Sequence, residues 1–242
     1  MDHRERVYER YVHARASALA PASVDQLGSR APYLKALIRA HFPANRSAKL
    51  IDIGCGHGTL IHFAREAGYS NIAGVDRSPE QVGEAARLGI PGVRLGDSVD
   101  ALRELDAESL DGVIAFDVIE HLTKAELVTL IDEVLRVLRP GARWIIHAPN
   151  AESPFFGRIR YGDITHEQAF TRVSIAQLLL ASGFREVTSY EDVPIVHGVK
   201  SAGRLLTWKV WRGLLRLYLA AETGSTDPKV ILTQNFLTVA SR

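Results

Sequence analysis

Short apolar runs and amphipathic segments alternate along the middle of the chain. Five aliphatic, β-branched runs have the length of buried strands, at residues 49–53, 71–76, 93–96, 110–116 and 142–148. Between them, apolar residues recur with helical spacing at 59–67, 79–88 and 123–138. Strands separated by helices of this length form right-handed βαβ crossovers, so the pattern predicts a parallel sheet covered by helices on both faces.

The two ends of the chain interrupt this alternation. Residues 2–42 have a helical pattern without a strand, and a long polar and aromatic connection spans 150–170. Beyond it, the sequence predicts a helix at 172–182, a strand at 184–193, a helix at 201–221 and a strand at 230–240. We therefore predict an N-terminal helical cap over residues 1–43 and one α/β domain over residues 44–242.

Composition narrows the class of protein. The 242 residues are 46% hydrophobic and 24% charged, which is typical of globular chains and excludes a wholly disordered one. A net charge of +1 is far from the basic balance of a protein that binds phosphate backbones, so no stable nucleic-acid partner is expected. The single cysteine, Cys55, fits a reducing compartment. The charged N-terminus lacks the apolar core of a secretory signal, and we predict a cytoplasmic protein.

A glycine-rich turn follows the first predicted strand. It spans residues 52–58 (DIGCGHG) and leads directly into a helix. Glycines at such a turn let the backbone approach a ligand closely, and the helix N-terminus offers free N–H groups. The spacing differs from the dinucleotide pattern G-x-G-x-x-G because residue 59 is Thr. Asp76 ends the second strand, where a carboxylate can accept hydrogen bonds from both ribose hydroxyls.

Taken in order, these motifs resemble those of the class I S-adenosylmethionine-dependent methyltransferases, over about residues 45–190. The resemblance implies an α/β, Rossmann-like sheet of seven strands, with the last strand antiparallel and inserted beside the fifth. It also implies that Asp76 holds the ribose, that Asp97 faces the adenine amino group and that Phe116 lies under the cofactor. The full set of implied cofactor residues is Asp52, Gly54, Cys55, Gly56, Gly58, Asp76, Arg77, Asp97, Ser98 and Phe116.

A second set of candidate residues follows the fourth strand. Asp117, Glu120 and His121 lie at positions i, i+3 and i+4, so a helical turn there would place them on one face. His166 follows the fifth strand, and neighbouring parallel strands bring such ends together. The four residues resemble the divalent-cation site of the ubiquinone-pathway O-methyltransferases and the small-RNA 2′-O-methyltransferases, with Asp in place of the usual first Glu. Such mixed ligands suit Mg²⁺, Mn²⁺, Fe²⁺ or Zn²⁺, and the sequence does not choose among them.

The same residues have an alternative role without a metal. Glu-His after this strand also occurs in metal-free relatives, where it shapes the pocket. In that case His166 or His121 would act as the general base that an alcohol acceptor needs. Asp117, His121 and His166 are therefore the catalytic candidates under either interpretation. His147, inside the fifth strand, is interpreted as a core or cofactor-side histidine.

The acceptor is predicted from the end of the fourth strand and from the connection that follows the fifth. Amino-group methyltransferases acting on DNA bases or glutamine commonly carry [DNS]-P-P-[YF] there, whereas this chain has FDVIEH, which favours an oxygen acceptor. The connection at 150–170 supplies aromatic rings and arginines, namely Phe155, Phe156, Arg158, Arg160 and Tyr161. Such a set suits a sugar that carries a phosphate or nucleotide. The segment is also similar to methyltransferases of surface-polysaccharide and sugar-modifying pathways, although ordinary loop packing would account for it too.

Several alternatives stay open at this point. The acceptor would be a sugar, a nucleotide-sugar or a glycan, or else a quinone, a phenol, a small natural product or the 2′-hydroxyl of RNA. A binding module that holds the cofactor without catalysis is the non-enzyme alternative. The late helix at 201–221 combines basic and apolar residues, so we expect either peripheral contact with the inner face of a membrane or a role as a lid or homodimer helix.

Overall fold

The fold is built on one seven-stranded sheet, seen in a computed structural model that describes residues 3–10 and 20–242. The strands are β1 (Leu50–Ile53), β2 (Ile72–Asp76), β3 (Val93–Leu95), β4 (Leu110–Phe116), β5 (Leu138–Pro149), β6 (Glu186–Glu191) and β7 (Asn235–Ser241). Their order is β3-β2-β1-β4-β5-β7-β6. The first five strands pair in parallel, and β7 pairs antiparallel with both β5 and β6. The predicted sheet, with its last strand beside the fifth, is confirmed.

Helices connect and cover these strands. In the described residues they are α1 (His3–Tyr8), α2 (Ala31–His41), α3 (Thr59–Glu66), α4 (Pro79–Arg87), α5 (Ser98–Arg103), α6 (Lys124–Val137), α7 (Phe156–Arg160), α8 (Arg172–Ala181) and α9 (Val199–Thr223). Short 3₁₀ turns lie at Val24–Ser29 and Ile119–His121. None of the described helices is long and apolar enough to cross a membrane.

Local sequence explains where the central helices begin. The Ser78 side chain accepts a hydrogen bond from the Gln81 N–H at the start of α4, and Pro79 occupies the first helical position, where its missing N–H costs nothing. A capping box formed by Thr123 and Glu126 starts α6, with each side chain accepting a hydrogen bond from the backbone of the other residue. These caps fix the helices that follow β2 and β4, next to the carboxyl edge of the sheet.

Alternate residues along the strands supply two apolar cores, one on each face of the sheet. On one face Val113 and Ala115 pack with the apolar sides of α5, α6 and α8. On the other face Ile114 packs with α2 and α3. Because α2 shares this core with the sheet, part of the predicted cap is continuous with the domain that it precedes. Residues 1–2 and 11–19 of the cap lie outside the described residues, and the division at residue 43 stays a prediction.

Two strands begin four or more residues away from the start that the sequence predicts. β5 starts at Leu138 rather than residue 142, because Leu138 pairs with Leu110 and the register then shifts before Arg143 pairs with Gly112. The Pro-Gly turn signal at 140–141 therefore falls inside an irregular strand rather than between a helix and a strand. β7 starts at Asn235 rather than residue 230. Two short helices, α5 and α7, were not expected.

The topology brings the functional segments to one edge of the sheet. β6 runs antiparallel to β7, and β7 runs antiparallel to β5, so β6 points the same way as the five parallel strands. The carboxyl ends of six strands consequently lie along one edge. The glycine-rich turn, the FDVIEH segment, the 150–170 connection and the chain that leads into α9 all leave the sheet there, where ligands bind in open α/β sheets.

Candidate active site

A cavity of about 640 Å³ opens at this carboxyl edge. The turn after β1, the ends of β2 and β4, and the start of α5 form much of its wall, with α1 and α6 alongside. Nine of the ten predicted cofactor residues line it: Asp52, Gly54, Cys55, Gly56, Asp76, Arg77, Asp97, Ser98 and Phe116. Gly58 lies behind the wall, at the N-cap of α3. The structure therefore brings together almost the whole set that the motifs indicate.

The turn requires glycine at Gly54 for two reasons. Its φ of +65° lies in the left-handed region that residues with a side chain rarely adopt. A Cβ atom on Gly54 would also lie 2.5 Å from Cγ2 of Val118, which follows β4. The bare backbone thus lets the turn close against the end of the neighbouring strand. This close approach places the N-terminus of α3 next to the cavity.

Two carboxylates flank the turn, the half-buried Asp76 and the buried Asp52. Asp76 accepts hydrogen bonds from the backbone N–H groups of Gly56 (2.7 Å) and Ser78 (2.9 Å), which hold its side chain in place. Asp52 is 1% exposed, and within the described residues its Oδ1 has no hydrogen-bond partner. Burial raises the pKa of Asp52 well above its usual range, and the nearby charge of Asp76 raises it further. Both sites suit the donor groups of a ligand, so the residues fit a cofactor that carries a ribose and an amino group.

Asp97 and Arg77 lie at the far end of the cavity. Oδ1 of Asp97 accepts hydrogen bonds from the N–H groups of Val99 (2.8 Å) and Asp100 (3.3 Å), so it caps α5. Its Oδ2 is 3.6 Å from Nε of Arg77. Oδ1 of Asp97 is thus occupied by the cap of α5, and the predicted contact of Asp97 with an adenine amino group stays a prediction.

Three residues on the cavity wall come from the predicted cap, namely Tyr8, Arg30 and Leu34. Tyr8 of α1 contacts the ring of His121 edge-on, at 6.3 Å between ring centroids. The guanidinium of Arg77 lies 5.5 Å from the centroid of the Tyr8 ring. Burial raises the pKa of Tyr8 to about 12. Arg30 precedes α2 and lies 5.2 Å from the Phe116 ring centroid. No motif marks Tyr8 or Arg30, because both lie far from the β4 end in sequence.

A buried histidine lies directly behind the cavity. The His147 ring stacks on Phe116 at 4.0 Å between centroids and is 1% exposed. Its Nδ1 donates to Oδ1 of Asp117 at 2.5 Å, and its Nε2 donates to Oδ2 of Asp192 at 3.4 Å. Burial disfavours the imidazolium, but the two carboxylates outweigh it and raise the pKa of His147 to about 9. His147 is therefore buried between two strand ends, and its two carboxylate partners favour the charged form of its ring.

Three of the four predicted metal ligands lie together next to the cavity. Glu120, His121 and His166 each have a potential ligand atom within 4.8 Å of those of the other two. Glu120 is 1% exposed, and within the described residues its Oε2 has no hydrogen-bond partner. Burial raises the pKa of Glu120 well above its usual range, with Asp117 adding to the effect. Burial and the neighbouring His166 lower the pKa of His121 to about 4, so its ring is neutral at pH 7.

Hydrogen bonds orient both imidazole rings of this cluster. Nδ1 of His166 donates to the backbone carbonyl of Ile159 at 3.0 Å. The Thr165 hydroxyl donates to Asp163 at 2.6 Å, so Nδ1 of His121, 2.8 Å from that hydroxyl, acts as the donor to it. In each ring Nε2 is then the nitrogen that carries a free lone pair. With the unpaired Glu120 oxygen, this donor set fits a divalent cation.

The fourth predicted ligand, Asp117, does not join the cluster. Its φ of +58° turns the chain before the 3₁₀ turn at Ile119–His121 begins, so Asp117 and Glu120 do not share a helical face. The carboxylate binds His147 instead, and Arg30 lies 3.9 Å from it. Although burial opposes it, the positive charge of His147 lowers the pKa of Asp117. Asp117 still lines the cavity, with 39% of its side chain accessible.

The predicted acceptor residues lie on and beside α7, away from the cavity wall. Phe155 and Tyr161 are 64% and 81% exposed, and the guanidinium of Arg160 lies 5.5 Å from the Tyr161 ring centroid. Phe156 and Arg158 belong to the same short helix. Because the Ile159 carbonyl accepts the hydrogen bond from His166, α7 is joined directly to the Glu120–His121–His166 cluster.

Comparison with known proteins identifies the family. A family model described as a methyltransferase domain matches residues 27–189. A trans-aconitate 2-methyltransferase of Azoarcus is 30% identical over 205 residues, which cover 78% of this chain and 77% of that protein. A solved SAM-dependent methyltransferase from Archaeoglobus fulgidus superposes over the whole of both chains with a TM-score of 0.64 and 18% identity. The chain belongs to the class I S-adenosylmethionine-dependent methyltransferases.

The relatives differ in the atom that they methylate. A norajmaline N-methyltransferase of Rauvolfia serpentina is 33% identical over 124 residues, covering 46% of this chain and 41% of that protein. A ubiquinone biosynthesis O-methyltransferase of Hahella chejuensis is 32% identical over 111 residues, covering 43% of each chain. The chain spans only 41–61% of the length of three curated relatives, this N-methyltransferase among them. Family membership alone therefore leaves the acceptor open.

Proposed function

We propose that the protein transfers a methyl group from S-adenosylmethionine to a hydroxyl oxygen. The observation that carries the proposal is the cluster of Glu120, His121 and His166 beside the cavity, with His121 on the cavity wall. A neutral amine already has the lone pair that attacks a methyl group, whereas an alcohol must lose its proton to become a strong nucleophile. A group of bases or metal ligands at this position is what oxygen methylation needs.

Different residues would bind different parts of the cofactor. Asp76 would hold the ribose hydroxyls, and the glycine-rich turn with Asp52 would hold the methionine part of the cofactor, whose sulfonium carries the methyl group. Phe116 would support the cofactor at the end of β4. The acceptor oxygen forms the new bond to the methyl carbon while the bond from carbon to sulfur breaks, so alignment of these three atoms matters most.

Two roles are proposed for the cluster. A divalent cation held by Glu120, His121 and His166 would lower the pKa of the acceptor hydroxyl. Without a cation, the free Nε2 of His121 or His166 would take the hydroxyl proton as the general base. In both cases the hydrogen bonds from Nδ1 to Thr165 and Ile159 keep the rings oriented.

The proposed acceptor is a sugar, a nucleotide-sugar or a glycan. The support is chemical: exposed rings at Phe155 and Tyr161, with Arg160 beside one of them, offer a stacking surface and a cation for a phosphorylated sugar. A quinone or phenol acceptor is the second candidate, favoured by the same rings and by the likeness to the Hahella enzyme. RNA and a purely cofactor-binding role have no comparable support among the described residues.

The direct test is to incubate the protein with methyl-labelled S-adenosylmethionine and a panel of acceptors. The panel would contain nucleotide-sugars, free glycans, catechols, reduced quinones, amines and RNA. Mass spectrometry and methyl-group NMR would identify the product and the methylated atom. The proposal predicts a methyl ether on a sugar. A methylated nitrogen would contradict oxygen chemistry, and turnover of catechols alone would contradict the sugar acceptor.

Variants test the role of the cluster. Glu120→Gln and His166→Ala should each lower kcat by about 100-fold or more, because general-base or metal assistance typically contributes 10²–10⁴-fold. His197→Ala provides the matched control, since this exposed histidine lies outside the cluster. Elemental analysis of the purified protein and addition of Mg²⁺, Mn²⁺, Fe²⁺ or Zn²⁺ after chelation would separate the two roles. A rate unaffected by exhaustive chelation would rule out the metal.

A further inference from the structure

Helix α9 carries an exposed apolar stripe along most of its length. Its 25 residues include exposed side chains that recur every three, four or seven positions and so share one face. These are Val199 (90% exposed), Leu206 (66%), Val210 (58%), Leu214 (50%) and Leu217 (68%). Trp211 (61%) and Tyr218 (60%) are exposed along one border of the stripe. Contiguous exposed apolar residues of this extent mark an interaction surface.

The opposite face of α9 is fixed to the protein, so the stripe points away from it. Arg212 donates to Glu191 at 2.7 Å and to the Val230 carbonyl at 3.3 Å. Ser201 is buried, and its hydroxyl accepts a hydrogen bond from the His197 N–H at the start of the helix. These contacts hold α9 against the end of β6 with a defined rotation.

The exposed part of α9 is strongly basic. Lys200, Arg204 and Lys209 are exposed and, within the described residues, none of them forms an ion pair with a carboxylate. The sequence of the helix contains a single acidic residue, Glu222, near its C-terminal end. Cations therefore flank an apolar stripe that has aromatic residues at its border. This combination is characteristic of helices that lie in the interface of an anionic bilayer.

The position of α9 relates the stripe to the active-site edge. α9 follows β6, whose carboxyl end lies at the same edge of the sheet as the cavity. Asp192, which immediately follows β6, accepts a hydrogen bond from His147 at the end of β5. The chain that leads into α9 is thus tied to the strand end behind the cavity.

We propose that α9 binds the surface of an anionic membrane, with its apolar stripe in the headgroup region and its cations on the lipid phosphates. A second copy of the chain fits the surface less well. Two copies of α9 joined through the stripe would bring Lys200, Arg204 and Lys209 of both together, with only Glu222 of each helix to offset them. An anionic bilayer supplies the missing charge. The proposal does not depend on the atom that is methylated.

Flotation of the full-length protein with lipid vesicles tests the proposal. The probe vesicles contain phosphatidylcholine alone or phosphatidylcholine with phosphatidylglycerol, an anionic lipid. Wild-type protein should float with the anionic vesicles, remain at the bottom with the neutral ones, and be released as the salt concentration rises. Absence of binding to anionic vesicles at physiological salt would overturn the proposal.

Paired variants distinguish α9 from the rest of the surface. Leu206→Asp with Leu217→Asp should abolish flotation, whereas Val173→Asp, at a 57% exposed position on α8, should leave it unchanged. Replacing Lys200, Arg204 or Lys209 singly with Gln should weaken binding about fivefold each, as expected for about 1 kcal/mol per cation near the membrane. Calorimetry with S-adenosylmethionine would confirm that every variant keeps a folded cofactor site.

Two further outcomes would count against a membrane. Flotation that survives the Leu206→Asp, Leu217→Asp pair would place the contact elsewhere on the protein. Sedimentation analysis provides the second outcome. If the wild-type protein binds no vesicles but forms a dimer, and the same two substitutions disrupt that dimer, the stripe serves self-association. Because flotation and sedimentation measure no turnover, these failures would be distinct from a failure of the proposed methyl transfer.

Discussion

At the scale of single residues, His147 connects its own strand, β5, to the ends of β4 and β6 through side-chain contacts. Its ring stacks on Phe116 of β4, and its two nitrogens donate to Asp117 and Asp192, which follow β4 and β6. Asp117 adopts a left-handed backbone conformation, which for a residue other than glycine costs free energy and needs support from its surroundings. The charged hydrogen bond from His147 supplies that support. His147 is therefore expected to hold the end of β4 in the shape that forms the cavity wall.

This pair makes stability depend on pH in a defined direction. Because the pKa of His147 is raised to about 9, its contribution is complete below the ordinary histidine pKa and is lost as pH rises through about 9. The shift corresponds to at most about 3 kcal/mol. Urea denaturation at pH 6.5 and pH 10 should show a larger loss of unfolding free energy in wild type than in His147→Gln. Equal losses in both proteins would show that the imidazolium does not stabilise the fold.

The side-chain arrangement at this site could be predicted from the sequence only in part. The spacing of Glu120 and His121 after β4, with His166 after β5, was enough to predict that these three residues meet. The same reasoning placed Asp117 with them, but the left-handed φ of Asp117 cannot be read from its spacing, because aspartate adopts that conformation only where its surroundings favour it. Tyr8 lies far away in the chain, and only the packing of α1 brings it to the wall.

At the element scale, the glycine-rich turn has a strict geometric requirement at Gly54. Gly54 and Gly89 have similar φ values, +65° and +69°, but their surroundings differ. A Cβ on Gly54 would clash with Val118, whereas a Cβ on Gly89 would meet no atom within 4 Å. The two glycines thus form a matched pair, in which backbone strain is common to both and steric conflict belongs to one.

Alanine at each position should therefore have unequal effects on stability. Gly89→Ala should cost about 1 kcal/mol of unfolding free energy, from the left-handed backbone alone. Gly54→Ala should cost about 3 kcal/mol, because forcing a methyl group into packed surroundings adds about 1–3 kcal/mol. Denaturation in the absence of cofactor measures both. Losses of the same size would mean that the turn relaxes away from Val118 without penalty.

Most elements of the sheet follow from the apolar pattern, and the differences have local causes. The pattern identified all seven strands: five of them carry buried residues between turn signals, whereas β3 and β6 have no buried residue and are marked by their β-branched and aromatic residues. It missed α5 because Ser98–Arg103 is too short to show helical periodicity, and only the cap at Asp97 marks it. It placed the start of β5 after the Pro-Gly pair because that pair is a turn signal, which pairing between Leu138 and Leu110 overrides.

At the scale of the whole molecule, one edge of the sheet collects the cavity, the candidate metal ligands, α7 and the base of α9. The net charge of +1 is consistent with this division, because acidic residues at the cavity are balanced by basic residues on α7 and α9. Asp52, Asp76 and Asp97 line the cavity, and Lys200 and Lys209 lie on the exposed part of α9. The near-neutral net charge is therefore the sum of acidic residues at the cavity and basic residues on α7 and α9.

The measurement that tests the central claim most directly is calorimetric titration of the purified protein with S-adenosylmethionine. Wild type should bind one molecule per chain. Asp76→Asn should weaken binding by about 10- to 150-fold, because hydrogen bonds to a charged group contribute about 1.5–3 kcal/mol. Asp132→Asn, at an exposed position on α6, should bind like wild type. No binding by wild type, or equal affinity in Asp76→Asn, would contradict the assignment of this cavity to the cofactor.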